Sequence, residues 1–320
     1  MRLSLSTNWC SRRLPSGEEI ADLALSLGFE ALELGYHVTP QQAKGFKARL
    51  DRMPVGSVHA FCPVPISAPQ GCPELYSLAT LDGEARKMAL LQVRRTVAFA
   101  ADMGADAVVL HAGRVAFSSP FDRIDSSVLR AALKQAGGRT EDVSYANLLA
   151  RARKRRQARG RKMAEAFCGA LSSLIPDLER FGVTLALENL PYLEGFPDEG
   201  ELVRIARALA GAPVKGWYDT GHARVRQMHG WIGSALPEAT TLADGTYVGM
   251  HLNDVVDFCD DHLAPGEGKV DFAALRPLAE QVRHVVFEPN ASVAESSLRA
   301  GLALVRRLWR LEPEHAPKGE

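Results

Sequence analysis

Short apolar runs alternate along this chain with longer segments in which apolar residues recur every three or four positions. The short runs, rich in Val, Ile and Leu, predict strands at Leu3–Thr7, Ala31–Leu34, Gly56–Ala60, Ala107–His111, Thr184–Glu188, Lys215–Asp219, Tyr247–Leu252 and His284–Glu288. The longer segments predict helices at Gly17–Leu27, Asp82–Met103, Met163–Phe181, Glu199–Ala210, Phe272–Val282 and Val293–Trp309. Helical patterning is weaker between the second and third strands and between the sixth and seventh. At Leu27-Gly28-Phe29 and Phe181-Gly182-Val183 a glycine separates helix from strand, as the left-handed residue that ends a helix does. Strands alternating with helices argue for a parallel sheet, and eight of them close a barrel. An open doubly wound sheet is the runner-up, but the sequence has no Gly-x-Gly-x-x-Gly after the first strand and no Walker loop. The predicted fold is therefore α/β, a single (β/α)8 TIM barrel over residues 1–311 with a long insertion, about 114–161, after the fourth strand. Residues 312–320 (EPEHAPKGE) read as a flexible tail.

Composition narrows the class. With 46% hydrophobic and 24% charged residues, the chain is neither a disordered nor a disulfide-stapled sequence. No apolar stretch approaches the ~18 residues of a membrane span, and the N-terminus lacks the apolar core of a secretory signal. Five scattered cysteines without a Cys-x-x-Cys pair read as reduced thiols, so a cytoplasmic location without a membrane partner is expected. The 38 basic and 38 acidic side chains cancel. That removes the positive field a nucleic-acid partner calls for, and a small-molecule substrate becomes the expected partner. A homo-oligomer is compatible with these features.

The residues that close the strands carry the chemistry. His59, His111, Glu188, Asp219, His251 and Glu288 end the third to eighth strands, and His222 follows Asp219 by three residues. Charge at the end of an apolar run is costly to bury without a partner. In a barrel all the strand C-termini open onto one mouth, where active sites sit. Imidazoles and carboxylates converging there make a site for a divalent cation. Taken singly, His59 reads as a hydrogen-bonded capping residue and Glu188 as either a helix cap or a catalytic group. Metal-ligand types at six strand ends are what point to a cation.

These residues fall in the motifs Leu187-Glu188-Asn189, Asp219-Thr220-Gly221-His222, His251-Leu252-Asn253-Asp254 and Asp260-Asp261-His262-Leu263-Ala264-Pro265-Gly266-Glu267-Gly268. Through them the chain resembles the xylose-isomerase-like barrel superfamily, which also holds endonuclease IV. The resemblance runs from Gly28 to Pro289. For the isomerase and epimerase branch it implies one divalent metal, Mn, Zn, Co or Mg, on Glu188, Asp219, His251 and Glu288. Both glutamates would move protons there, with His222 beside the substrate. For the endonuclease branch it implies up to three zinc ions, with His59, His111, His222, Asp260 and His262 as additional ligands. Ketohexose epimerases carry an arginine six residues after the third metal ligand, where this chain has Asp257.

The first reading is a divalent-metal-dependent isomerase or epimerase of a sugar, sugar phosphate or related polyol. A cation chelating a carbonyl and its neighbouring hydroxyl stabilises an enediolate, and a monodentate glutamate keeps one oxygen free for the proton. The alternative is a multi-zinc phosphodiesterase of the endonuclease IV type, acting on abasic-site DNA or a small phosphodiester such as a cobamide. The third, a barrel that binds carbohydrate or metal without turnover, is least favoured, because binding needs no pair of glutamates flanking one cation. Trp9, past the first strand, and Asn253, past the seventh, are candidates for touching substrate. Trp217 is expected in the core or against the outer helices. The run RARKRRQARGRK at 151–162 holds eight basic side chains and reads as the solvated start of a helix rather than a phosphate grip.

Overall fold

The computed structural model describes residues 1–118, 122–238 and 245–311; the predicted tail at 312–320 lies outside the described residues. Along the chain the elements are β1 (Leu3–Ser6), α1 (Gly17–Leu27), β2 (Ala31–Leu34), α2 (Pro40–Lys47), β3 (Val55–His59), α3 (Gly83–Asp102), β4 (Ala107–Leu110) and β5 (Gly113–Arg114). Then come α4 (Ser126–Gln135), α5 (Val143–Phe181), β6 (Thr184–Glu188), β7 (Gly195–Phe196), α6 (Glu199–Ala208), β8 (Val214–Asp219) and α7 (Thr220–Met228). The last are β9 (Tyr247–Leu252), α8 (Arg276–Ala279), β10 (His284–Phe287) and α9 (Glu295–Trp309). Eight strands pair in parallel in the order β1-β10-β9-β8-β6-β4-β3-β2 and close on themselves, which is the predicted barrel. β5 and β7 form a small antiparallel ribbon beyond the ends of β4 and β6. Gly28 and Gly182 end α1 and α5 with φ of 95° and 65°, as their place in the sequence predicts. Among the described residues no helix is long and apolar enough to cross a membrane.

Side chains alternate along each strand between the barrel interior and the helix layer. Ala107, Val109, Ala186, Trp217, Val248 and Val286 form a buried cluster that fills the interior beneath the mouth. Gly249 makes room for Trp217, since a Cβ there would lie 2.1 Å from the indole. Trp217 thus occupies the core, one of its two expected places. Residues of opposite phase, such as Leu32, Leu34, Leu185 and Leu187, pack outward with helix residues such as Phe167 and Leu171. Each such side chain contributes about 1.5–3 kcal/mol on burial.

Two helices depart from expectation: α8 covers only Arg276–Ala279 of the predicted Phe272–Val282, and α5 is longer than predicted. α5 starts at Val143, not Met163, because Tyr145, Leu149, Ala152, Arg156 and Gly160 extend the buried stripe of Met163 and Phe167 at steps of three and four. Arg156 tolerates that burial because its guanidinium donates to Leu193 O at 2.7 Å, Gly195 O at 2.5 Å, Asp198 at 2.9 Å and Glu201 at 2.8 Å. The basic run therefore lies mid-helix rather than at a helix start, and of its basic side chains only Arg156 is buried. Arg151 and Arg155 pair with Asp122, and Arg153 donates to Gly230 O.

Candidate metal centre

The strand ends converge as the barrel requires. Nine side chains fall into three sets: His59–His111–Glu188, Glu188–Asp219–His251–Glu288 and His222–Asp260–His262. Within each set the ligating atoms lie within 4.8 Å of one another. The first two sets share Glu188. Its Oε2 faces His59 Nε2 at 3.2 Å and His111 Nε2 at 3.1 Å, whereas its Oε1 faces His251 Nδ1 at 3.1 Å. In the third set Asp260 lies between His222 Nε2 at 3.3 Å and His262 Nε2 at 3.2 Å. All the residues named as ligands from the sequence are together.

Local sequence explains their placement. Asn189 ties β6 to β8: its Nδ2 donates to Asp219 O at 3.1 Å, and the Asp219 N–H donates to its Oδ1 at 2.7 Å. Asp219 caps α7 by accepting from the His222 N–H at 2.7 Å, which fixes His222 on the first turn. Asn253 donates from Nδ2 to Asp219 Oδ2 at 2.6 Å, so it stands fully buried behind that carboxylate instead of in the mouth. The third set comes from the loop after β9. Asp254 gathers that loop by accepting from the N–H groups of Gly266, Gly268 and Val270 at 3.0, 2.8 and 2.9 Å. His262 adopts φ 46°, a left-handed conformation unfavourable for a residue with a Cβ. It is held there by the Asn290 N–H, which donates to its carbonyl at 2.7 Å, and by its Nδ1, 2.8 Å from Glu288 O.

Reading the sequence missed Glu33. This fully buried β2 carboxylate lies 3.0 Å from His251 Nε2 and accepts from Ser57 Oγ at 2.8 Å. It leaves the other ring nitrogen, Nδ1, facing Glu188 and Glu288 at 3.1 Å each. A carboxylate behind a ligating imidazole sets its tautomer and orientation. The signal was a lone acid in the apolar run Ala31-Leu32-Glu33-Leu34, on the inward phase.

The donor set suits divalent cations. Glu188, Asp219 and Glu288 are buried and Asp260 stands at the open edge, and among the described residues the ion-pair partners of all four are imidazoles, with no Lys or Arg. Burial raises the Glu188 pKa, but His251 and His111 draw it well below the usual carboxylate range. Burial lowers His111, yet Glu188 overrides this and brings it to about 9. Asp219 and Asp260 likewise outweigh burial at His222 and raise it to about 10.

The sets open into a cavity of about 370 Å³ whose walls also include Tyr36, Glu74, Arg114 and Tyr192, none of them named from the sequence. Trp9 is not among its walls. It is 1% exposed, its Nε1–H donates to Val293 O at 2.8 Å, and Arg13 stacks on it. Its place as a substrate contact is corrected accordingly.

A family profile described as xylose isomerase-like TIM barrel matches residues 21–308, and the chain belongs to that family. Among solved structures it is similar to a D-tagatose 3-epimerase-like protein, at 18% identity and a TM-score of 0.63 over 96% of this chain and 99% of that one. It is similar to 3-keto-D-glucoside 4-epimerase from E. coli at 17% identity and 0.64, over 96% and 99%. D-psicose 3-epimerase from Clostridium cellulolyticum H10, with D-tagatose, gives 14% identity and 0.64 over 97% and 99%. At these identities the likeness is one of fold. No curated protein matches the chain.

Proposed function

We propose that the chain is a multinuclear, divalent-metal-dependent phosphodiesterase acting on a small phosphodiester. The observation that carries this reading is the double commitment of Glu188, whose two oxygens face different ligand sets. An enolising isomerase needs one cation and a glutamate oxygen free to collect a proton. Here Oε2 of Glu188 is flanked by His59 and His111. Those two histidines, with Asp260 and His262, have no part in a single-cation centre, yet all stand in ligand sets.

Bound divalent cations, zinc being well suited to this imidazole-rich set, supply Lewis-acid stabilisation and lower the pKa of water. The residues around them do the remaining work. Hydrolysis forms one P–O bond from water and breaks one ester P–O bond; the water loses a proton and the departing alkoxide gains one. Glu74 lines the cavity outside the three sets. From that position, with Arg114 beside it at 2.7 Å holding it as the carboxylate, it is assigned to take the water's proton. Tyr192, kept protonated by burial, stands on the cavity wall to donate a hydrogen bond to the departing oxygen. The balanced charge of the chain and the 370 Å³ cavity favour a small diester over DNA.

A second reading, the metal-dependent sugar isomerase or epimerase, is favoured by the compact Glu188–Asp219–His251–Glu288 set and by the fold likeness to sugar epimerases. Glu188 and Glu288 would then move protons and His222 would orient the substrate. Metal analysis together with turnover separates the two. Three ions per chain and hydrolysis of bis(p-nitrophenyl) phosphate are expected. One ion per chain, retained in the His59→Ala/His111→Ala variant together with ketose interconversion, would establish the second reading.

A further inference from the structure

Two cavities meet at the Glu74–Arg114 pair. Arg114 Nε and Nη2 lie 2.8 and 2.7 Å from Glu74 Oε2, and the guanidinium stacks on Tyr192 at 3.7 Å. On one side is the cavity over the ligand sets. On the other is a groove of about 520 Å³, bounded by the segment leading into α3, by β5 and by α5, to which Glu74 and Arg114 also belong. Its walls are mainly apolar, from Tyr76, Leu81, Val115 and Met163, with the charged Asp82 and Arg159 at its margin. Leu81 is 60% exposed, a large apolar side chain left uncovered one cavity away from the reacting centre.

We infer that this groove is the subsite for one substituent of the substrate, a flat apolar ring such as an aryl group. The inference rests on the phosphodiesterase reading. A phosphodiester carries two substituents on one anionic phosphorus. The cavity over the ligand sets gathers charged and imidazole groups between Tyr36, Tyr192 and Pro191 and, being the smaller of the two, suits the phosphoryl group with a compact substituent. The other substituent has to pass the Glu74–Arg114 junction, where the walls turn apolar and the volume is larger. Arg114, oriented by Tyr192 beneath it and Glu74 beside it, is the positioning residue at the point where the anionic oxygen and the ring part.

The test uses the full zinc-loaded chain and two phosphinates, in which carbon replaces both ester oxygens so that neither is hydrolysed. Calorimetry compares dimethylphosphinate with methyl(1-naphthylmethyl)phosphinate. The naphthyl compound is expected to bind at least about tenfold tighter in the unaltered protein, from burial of its ring. Leu81→Asp, which places charge on the wall, and Ala116→Trp, which fills the groove, should each reduce that preference to below about threefold. Both residues are exposed, so folding is preserved, and either variant serves alone. Equal affinities in the unaltered protein, or a preference that survives both substitutions, would overturn the subsite. A groove-dependent preference without hydrolysis of any diester would remove the phosphodiesterase reading and keep the ring site. Hydrolysis without a ring preference would do the reverse.

Discussion

Both ends of the barrel bring histidine against carboxylate, with different consequences. At the strand N-termini His284 Nε2 lies 2.7 Å from Asp106 Oδ1, while Arg283 Nη1 reaches Asp106 Oδ2 at 2.8 Å and Nη2 donates to Thr184 Oγ1 at 3.1 Å. That carboxylate is 44% exposed and already neutralised by an arginine. The arrangement is complete and ties β10 to the starts of β4 and β6. At the C-termini the carboxylates are buried, shared among several imidazoles and without any fixed cation among the described residues. A histidine–acid contact thus signals a site when the acid is shared and its charge left to a ligand, not when an arginine closes the account.

The largest effect should come from Glu188→Ala, which removes the bridge between two sets. Turnover is expected to fall by about a thousandfold or more, with metal content dropping from three ions to one. Chelation should come next. Loss of ligands that bind only the folded chain lowers stability, by about 2.7 kcal/mol for each cation held at a hundred times its Kd, seen as a drop in Tm.

The chelated protein then separates the two ends by pH. His111 rises to about 9 in the fold, above its ordinary value, so its contribution is complete below pH ~6.5 and lost as pH climbs through 9. Cation binding should strengthen over the same window, because the imidazole must lose its proton. Asp106 is lowered, first by the His284 hydrogen bond, so its contribution holds above its unfolded pKa and vanishes in acid. Melting curves from pH 3 to 10 should show both flanks, with only the alkaline one abolished by zinc.

Glu33→Gln should weaken cation affinity about 10–100-fold at the set containing His251 while the third set keeps its ion, as read by metal titration. The smallest change is expected from Asp106→Asn. It should cost about 1 kcal/mol or less in denaturant unfolding, with metal content and turnover unaltered.

The barrel and the strand-end ligands were legible because period-two strands and closure leave few choices for where an inward residue goes. Asp260 and His262 lie on a loop, so they became visible only through the motif they share with a known superfamily. Glu33 sat in plain view but was absorbed into a strand. Glu74, Arg114 and Tyr192 come from connections whose course depends on contacts rather than periodicity. Trp9 was misplaced because the chain leaves strand geometry after Ser6 and takes a 3-10 turn over Thr7–Trp9, which rotates the indole toward Val293. The start of α5 was obscured by Arg156, a charge in a buried stripe whose acceptors come from distant segments.

The continuity of α5 restricts how this protein can change its substrate. Most barrels diversify by lengthening loops at the mouth. Here one rod of helix serves both as an outer stave and, through Arg159 and Met163, as a groove wall. Adding a single residue near Gln157 would rotate everything before it by about 100° and pull Arg156 from its carbonyl cradle. Side-chain swaps along the rod, or the gain and loss of whole turns, are the routes that keep its phase.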